Sequence, residues 1–259
     1  MFGLKNYRNN CYSNSIIQIF LNCDIFMDKL SSIDKDYPSL LFYINNLKTI
    51  PNLRDKTFNE LMVYIRQNTK FGRGDQNDAN EFLVKVLDIF EHENKNIYDM
   101  FVGTKISSLE CKKCDYKNKV KENFNFLAWY LHGPDTFGRM LNNEFEKETI
   151  QNCKCEKCGN TELENNKYIY KFPDVFIVLN VNMQHTIQFP ENLNIIDYNG
   201  EKVIYKFTGT VNHYGSLNGG HYTFSTKDKM IDDTNIIDVS FPKDFGHAYM
   251  IVYSKIKTN

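Results

Sequence analysis

The sequence predicts an α+β protein in which a mainly helical first part precedes a part rich in β-strands. Within residues 1–100, apolar side chains recur at helical spacing. After Ile97, short runs of Val, Ile, Phe and Tyr alternate or cluster as they do in strands. Helices followed by strands favour two lobes with a cleft between them. The 259 residues suffice for a sizeable core, so we expect one domain over residues 1–259.

Three segments carry the helical signal, and they are residues 11–22, 57–67 and 77–93. The first places an apolar stripe at helical spacing, made by Ile16, Ile17, Phe20 and Leu21. Thr57 and Glu60 form a capping-box pattern that would open the second helix. The third helix has an apolar face formed by Phe82, Leu83, Val86, Leu87 and Phe90.

Six later segments have the composition and alternation of strands. They are residues 101–109, 118–128, 167–182, 203–213, 221–226 and 247–256. Residues 134–165 are polar and show no period, so we expect irregular structure there.

The composition excludes several function classes. A net charge of −1 gives no general attraction to nucleic acid or to an anionic membrane, so we expect neither as a partner. No apolar run approaches the roughly 20 residues that span a bilayer, and no apolar leader segment is visible. We therefore expect an intracellular protein, cytoplasmic or nuclear.

Four cysteines form two C-x-x-C pairs that predict a structural zinc site. The pairs are Cys111 with Cys114 and Cys155 with Cys158. Four thiolates suit tetrahedral Zn²⁺ and leave no open position for catalysis. Cys153 is an alternative to Cys155, although the two-residue gap favours Cys155. The lysines within residues 112–121 are interpreted as the solvated face of a hairpin.

Cys11 is a candidate nucleophile because it opens a predicted helix, whose dipole and free N–H groups would favour the thiolate. A single cysteine is more often a core residue, so the interpretation requires partners. His221 follows a Gly-Gly pair and opens a predicted strand. Asp232 and Asp233 come next along the chain, and either carboxylate could orient the imidazole. The order Cys, His, Asp is the papain-like order.

Five ordered motifs extend this pattern over essentially the whole chain. Residues 3–15, GLKNYRNNCYSNS, align without gaps with GLxNxGNTCYMNS, and Gln18 matches a trailing Gln. Residues 76–88 resemble QQDAxEFLxxLLD, and FPDVFI at 172–177 resembles LPxVLxL. FVG at 101–103 leading to the first C-x-x-C pair resembles the entry to a zinc-bearing segment. The last motif, HxGxxxxGHY, is matched by His213, Gly215, Gly220, His221 and Tyr222, with AYM following at 248–250.

These motifs resemble those of the ubiquitin-specific proteases. The resemblance implies a papain-like fold with a helical thumb at 1–100, zinc-bearing fingers and the start of the palm at 101–182, and a β-sheet palm at 183–259. It implies hydrolysis of the (iso)peptide bond after the C-terminal Gly-Gly of ubiquitin by a monomeric enzyme that binds ubiquitin and a structural Zn²⁺. The compact chain and its many Asn, Lys, Ile and Tyr residues suggest a viral or parasite version.

The resemblance also implies a role for each matching residue. Cys11 would be the nucleophile, His221 the general base, Asp232 its orienting group and Asn6 the oxyanion donor. Three further residues would contact the ubiquitin tail, and they are Asp78, Tyr222 and Gly220. The zinc ligands would be Cys111, Cys114, Cys155 and Cys158.

One departure from the family pattern lies close to the nucleophile. Arg8 replaces a glycine of the family motif, and a positive φ at that position would cost about 1 kcal/mol. Three alternatives stay open: a protease for another ubiquitin-like modifier, a ubiquitin-binding scaffold with weak catalysis, and a zinc-ribbon nucleic-acid binder. The balanced charge disfavours the last.

Overall fold

In the computed structural model, six helices form a first lobe, the thumb. The structure describes residues 1–145, 147–151, 153–183, 185–216, 219–241 and 247–256. The thumb helices are α1 Cys11–Asn22, α2 Asp24–Ser31, α3 Leu40–Thr49, α4 Arg54–Asn68, α5 Ala79–Glu93 and α6 Lys95–Tyr98. Short 3₁₀ turns at Pro51–Leu53 and Asp99–Phe101 complete this part.

The second helix of the sequence prediction begins earlier than its capping box indicated. α4 starts at Arg54, directly after the 3₁₀ turn that opens with Pro51. Proline presets a helical φ at the first position of a helical segment, and this starts the helix before Thr57. Thr57 is a buried residue inside α4, so its predicted capping role is wrong.

The palm is an eight-stranded sheet behind the thumb. Its strands are β3 Leu127–Trp129, β7 Val175–Asn180, β9 Asn192–Ile196, β10 Lys202–Ser216, β11 Gly219–Ser225, β12 Lys229–Asp232, β13 Asn235–Asp238 and β14 Ala248–Lys255. They run in the order β13-β12-β11-β10-β14-β7-β3, with β9 paired to β10. All pairs are antiparallel except β3 with β7.

The fingers are a separate four-stranded antiparallel sheet that carries the two C-x-x-C pairs. Its strands are β1 Gly103–Cys111, β2 Lys117–Phe124, β5 Lys147–Gln151 and β6 Glu162–Lys171, in the order β2-β1-β6-β5. β4 Asp135–Thr136 pairs with β8 Ile187–Gln188, and α7 Phe137–Asn143 follows β4. The irregular structure expected for 134–165 is therefore wrong: α7 is capped by Thr136, and β5 is held by β6 rather than by an alternating pattern of its own.

Two main cores flank the palm. One joins the thumb helices to the near face of the sheet, where Phe20, Phe26, Phe90 and Phe101 pack ring against ring. The other fills the far face, under α7. The α+β class with thumb, palm and fingers is confirmed. Of the helices that the structure describes, none has the length and apolar content needed to cross a bilayer.

Candidate active site

The loop before α1 is organised by Asn10. Its side-chain oxygen accepts hydrogen bonds from the backbone N–H groups of Tyr7 (2.7 Å) and Arg8 (3.3 Å). Its amide donates to Lys5 O (3.2 Å) and to Asn14 Oδ1 (2.9 Å). A short polar side chain that bonds to its own loop in this way replaces water as the partner of the backbone. The loop therefore delivers Cys11 to the first position of α1 in a fixed orientation.

The left-handed residue of this loop is Asn9, with φ of 47°, and not Arg8. The backbone strain considered for Arg8 is therefore absent. Asparagine tolerates the left-handed region better than most residues do. Asn9 is also held by its own amide, which donates to Gly74 O at 3.0 Å.

Cys11 lies between the thumb and the palm, with only 4% of its surface exposed. Burial raises the pKa of its thiol, and the carboxylate of Asp233 adds to this shift. Hydrogen bonds with the backbone at Tyr222, Tyr12 and Cys11 itself lower the pKa but do not outweigh burial. The helix start favours the thiolate as expected, but burial outweighs its effect on the pKa. Removal of the proton needs a base.

His221 lies on β11, next to Tyr222, whose backbone lowers the pKa of the Cys11 thiol. Its Nε2 lies 2.6 Å from Oδ1 of Asp232, at the end of the neighbouring strand β12. α1 packs against β11, so the thumb supplies the thiol and the palm supplies the imidazole–carboxylate pair. The contact with Asp232 uses Nε2 and leaves Nδ1 as the second ring nitrogen.

Asp233 has different hydrogen-bond partners from those of Asp232. Its Oδ2 accepts from the Asn6 amide at 2.9 Å, and its Oδ1 accepts from the Asn14 amide at 2.8 Å. Its backbone carbonyl accepts from Leu4 N–H at 2.8 Å, and its φ is 51°. Of the two adjacent acids, the structure thus gives the imidazole contact to Asp232 and the contacts with the N-terminal loop to Asp233.

Asn6 is oriented from both ends of its amide. Its oxygen accepts from the backbone N–H of Asn10 at 3.1 Å, and its nitrogen donates to Asp233. The second N–H of this amide is not used in any hydrogen bond to the described residues. A donor held in this way needs little reorganisation when charge develops on a nearby oxygen.

A cleft of about 200 Å³ runs past Cys11 between the two lobes. It is lined by Asn9, Cys11, Tyr12, Gln76, Asn77, Asp78, Met183, His213, Gly219, Gly220 and Tyr222. A Cβ added to Gly220 would overlap Nε2 of His213 and lie 2.6 Å from the carbonyl oxygen of Tyr214. One added to Gly219 would lie 3.1 Å from Gln76 Oε1. Gly219 therefore allows Gln76 of the thumb to come close, and Gly220 allows β11 to pack closely on β10.

Asp78 links the two lobes beside this cleft. Its Oδ1 caps α5 by accepting from Asn80 N–H (2.8 Å) and Glu81 N–H (3.0 Å). Its Oδ2 accepts from the hydroxyl groups of Tyr222 (3.1 Å) and Tyr249 (2.8 Å). Burial raises the pKa of both tyrosines, with the Asp78 charge adding to it, so both phenols stay protonated donors. Any contact of Asp78 with a ligand must share an oxygen already in use.

Several site residues were not predicted from the sequence. Asn10 and Asn14 hold the catalytic loop, while Tyr249 shares Asp78 with Tyr222. Gln76 and His213 line the cleft. His213, Tyr249 and Gln76 do fall inside matched motifs, which is the signal that could have found them. Asn14 also matches a position of the first motif, whereas Asn10 departs from it, and only its short polar side chain next to a helix start indicated its role.

The four predicted zinc ligands converge at the tip of the fingers. The sulfurs of Cys111, Cys114, Cys155 and Cys158 all lie within 4.8 Å of one another. The Cys111–Cys158 and Cys114–Cys155 sulfur pairs are both 3.6 Å apart. Tetrahedral bonds of 2.3 Å require about 3.8 Å between sulfurs, so the cluster fits one metal ion. Cys153 packs nearby but does not belong to the cluster.

The chain belongs to the ubiquitin carboxyl-terminal hydrolase family, whose model matches residues 2–253. It is 24% identical to ubiquitin carboxyl-terminal hydrolase 7 of Caenorhabditis briggsae, over 85% of this chain and 22% of that relative. It is 28% identical to ubiquitin carboxyl-terminal hydrolase 21 of Rattus norvegicus, over 51% of this chain and 28% of that one. The chain thus spans only about a fifth to a quarter of the length of these curated relatives.

Solved structures show the same fold. A SAGA DUB module bound to monoubiquitin contains a chain that superposes with a TM-score of 0.84 at 21% identity. The match covers 100% of this chain and 70% of that one. The SAGA Ubp8/Sgf11/Sus1/Sgf73 DUB module bound to ubiquitin aldehyde gives a TM-score of 0.83, with the same identity and coverage. Over its full length, therefore, this chain has the ubiquitin-specific protease fold.

Proposed function

We propose that this chain is a deubiquitinating cysteine protease that hydrolyses the bond after the C-terminal glycine of ubiquitin. The observation that carries the proposal is the meeting of a thiol from the thumb with an imidazole–carboxylate pair from the palm, where α1 packs against β11. Cys11 opens α1 at the wall of the cleft, His221 lies on β11, and Asp232 holds the imidazole at 2.6 Å. Membership of the family supports the same reaction.

In this mechanism His221 acts first as the base. It takes the proton of the Cys11 thiol, whose pKa is raised by burial, as the sulfur attacks the carbonyl carbon of the last glycine. Asp232 stabilises the imidazolium that forms. The free N–H of Asn6 and the backbone N–H of Cys11 receive the oxyanion. Each such donor is worth roughly 3–4 kcal/mol in comparable sites.

His221 then acts as the acid. It gives its proton to the leaving lysine amine, which departs and leaves an acyl-enzyme on Cys11. A water molecule, deprotonated by His221, attacks the thioester, and the thiol leaves with the free ubiquitin carboxylate as the other product. The glycines at 219–220 support selectivity, because a side chain at Gly219 would press on Gln76 across the cleft.

We assign the contacts with the ubiquitin tail to Asp78, Tyr222 and Gly220. All three line the cleft. Because Asp78 already serves two tyrosines, we assign it mainly to holding the thumb on the palm, and a basic side chain of the tail would add to this network rather than create it.

We further propose that the four-cysteine cluster holds a structural Zn²⁺. Zinc would join the two hairpins of the fingers, and thiolates would supply all four ligands. No reacting group of the cleft belongs to the cluster, so the metal would stabilise the fingers, whose surface would contact ubiquitin. All seven cysteines are free thiols, which supports a reducing, intracellular location.

We propose that residues 1–259 form one catalytic domain that acts as a monomer. The nucleophile comes from the thumb, and the imidazole and its carboxylate come from the palm of the same chain. The division into a thumb up to residue 100, fingers and early palm up to 182, and palm beyond it follows the change from helices to sheets.

The proposed function is tested with ubiquitin carrying a C-terminal fluorogenic amide. Wild-type protein should release the fluorophore, and Cys11→Ala should release none above background. The same substrates made from other ubiquitin-like modifiers should be cleaved more slowly. Absence of cleavage by a folded wild-type protein would contradict the proposal, and faster cleavage of another modifier would move it to the alternative substrate.

A further inference from the structure

A pocket of about 430 Å³ opens on the other side of the catalytic loop from the cleft. It lies between that loop, the last turns of α4 and residues 72–74. Its lining is Tyr7, Arg8, Asn10, Met62, Arg66, Gly72, Arg73 and Gly74, which includes three arginines and no acidic residue. The nearest acid along the chain, Asp75, does not line it.

The backbone makes room for the arginine stems. Gly72 and Gly74 flank Arg73 and have φ of 75° and 101°, which favour glycine. A Cβ on Gly72 would lie 3.0 Å from Cγ of Arg66, and one on Gly74 would lie 3.3 Å from Cδ of Arg8. The three cationic side chains thus come from three chain segments and share one pocket.

Among the residues that the structure describes, none of Arg8, Arg66 and Arg73 forms an ion pair, whereas Arg139 is paired with Asp135 at 2.5 Å. Three like charges in one pocket repel one another, and an anion relieves that repulsion. The planar guanidinium fork matches carboxylate and phosphate groups in particular.

The arginine pocket lies next to the nucleophile, and this position indicates which kind of anion binds there. Asn9 lines the cleft beside Cys11, and the next residue, Asn10, lines the arginine pocket. The Asn9 amide also holds Gly74 O at 3.0 Å, so the two pockets share a wall. A ubiquitin tail whose last glycine reaches Cys11 would bring the attached protein next to this nucleophile, which follows Asn10 of the arginine pocket directly in the chain.

We propose that Arg8, Arg66 and Arg73 bind an acidic segment, rich in carboxylate or phosphate groups, of the protein from which ubiquitin is removed. This proposal rests on the proposed function and adds to it a preference for certain proteins from which ubiquitin is removed. A peptide fits better than a nucleic acid because the three arginines form a short positive patch on a chain of net charge −1, whereas a nucleic acid needs an extended one. The contacts are exposed to solvent, so they act through charge complementarity with the flanking sequence of the modified lysine.

The test compares two isopeptide substrates of identical length. In one, ubiquitin is joined to a lysine flanked by Asp and Glu, and in the other by Asn and Gln. Wild-type protein should cleave the acidic conjugate with a kcat/KM about three- to tenfold higher, the range expected for two or three exposed ion pairs. The preference should shrink as KCl is raised from 50 to 300 mM.

The variants separate this pocket from catalysis. Arg66→Gln combined with Arg73→Gln should bring the preference close to one, while the rate on ubiquitin with a small fluorogenic leaving group stays unchanged. Arg139→Gln, an exposed arginine far along the chain in α7, is the matched control and should keep the full preference. Arg8 is left in place because it belongs to the loop that carries Cys11.

Equal cleavage of the two conjugates by wild-type protein would overturn this proposal alone. So would a preference that persists in the double variant, or an oligonucleotide that binds the pocket when the acidic peptide does not. Failure of wild-type protein to cleave any ubiquitin substrate, including the fluorogenic one, would overturn the proposed function and this proposal with it.

Discussion

Replacing Asp232 with alanine should slow catalysis much more than the same change at Asp233. The Asp232 carboxylate lies 2.6 Å from Nε2 of His221, whereas the Asp233 carboxylate receives the amides of Asn6 and Asn14. Only the first of these contacts changes in strength during the reaction, because the imidazole becomes positively charged in the transition state.

The size of the Asp232 effect follows from that single contact. A hydrogen bond to a charged partner contributes about 1.5–3 kcal/mol, and each 1.36 kcal/mol is a factor of ten in rate. The expected loss in kcat is therefore about 10- to 150-fold. The Asp232 side chain is 32% exposed, so water partly replaces it and the lower half of the range is expected. KM should change little, because Asp232 does not line the cleft.

Asp233→Ala should act mainly on stability. The Asn14 side chain, with 4% of the residue exposed, loses one acceptor but keeps those at Leu4 O and Lys5 O, both at 3.3 Å. Two lost hydrogen bonds cost roughly 1–3 kcal/mol of unfolding free energy. Asn6 stays anchored through Asn10, so kcat should fall by less than tenfold.

Initial rates on ubiquitin with a fluorogenic C-terminal amide give kcat and KM for each variant, and thermal melts give the stability. Asp232→Asn is the matched control for shape: its amide can donate to Nε2 and force the wrong tautomer, so it should be as slow as the alanine variant. A larger kcat loss at Asp233 than at Asp232 would refute the assignment of the orienting role.

Three further changes test other parts of the structure. Cys114→Ser should lower the melting temperature and abolish binding of one Zn²⁺ per chain, while Cys153→Ser should do neither; equal behaviour of the two variants would contradict the assigned ligands. Gly220→Ala should lower kcat/KM at least about tenfold, since the new methyl group overlaps His213; unchanged kinetics would show that the cleft is wider than it is here. Alkylation of Cys11 by iodoacetamide should still accelerate above pH 8, because burial raises the pKa of the thiol and the thiolate forms only as pH rises; a plateau at or below pH 7 would contradict this.

The sequence was sufficient to predict the parts of the fold that are coded locally or in motifs. α1 and α5 were found because each carries an apolar face at helical spacing. The two C-x-x-C pairs were predicted as zinc ligands because two residues between cysteines is the spacing typical of a zinc knuckle. α7 and β5 were missed, because one is a short helix after a capping threonine and the other depends on pairing with β6.

In the candidate site, too, some features could be predicted from the sequence and others could not. Cys11 and His221 could be chosen from position and neighbours, whereas these left Asp232 and Asp233 open and only the family resemblance favoured Asp232. Asp232 ends the short strand β12 and Asp233 follows it, and the turn at Asp233, with its positive φ, directs the two side chains to different partners. The raised pKa of Cys11 was also missed, because desolvation depends on how the two lobes close around the sulfur.

The arginine pocket illustrates a feature that sequence could not supply. Arg8, Arg66 and Arg73 are far apart along the chain, and only the fold brings them together. In the sequence, Arg8 departs from the family motif at a position where a positive φ would strain the loop. The structure shows that Asn9 takes the left-handed conformation instead, which frees Arg8 to line a surface.

The most direct test of the central claim is covalent capture with ubiquitin that bears an electrophile in place of its terminal carboxylate. Intact-mass analysis should show one ubiquitin per chain, and peptide mapping should place the adduct on Cys11. His221→Ala should slow the labelling strongly, whereas Cys23→Ala, at a buried thiol outside the cleft, should label at the wild-type rate. An adduct on another cysteine, or no adduct on folded wild-type protein, would contradict the account.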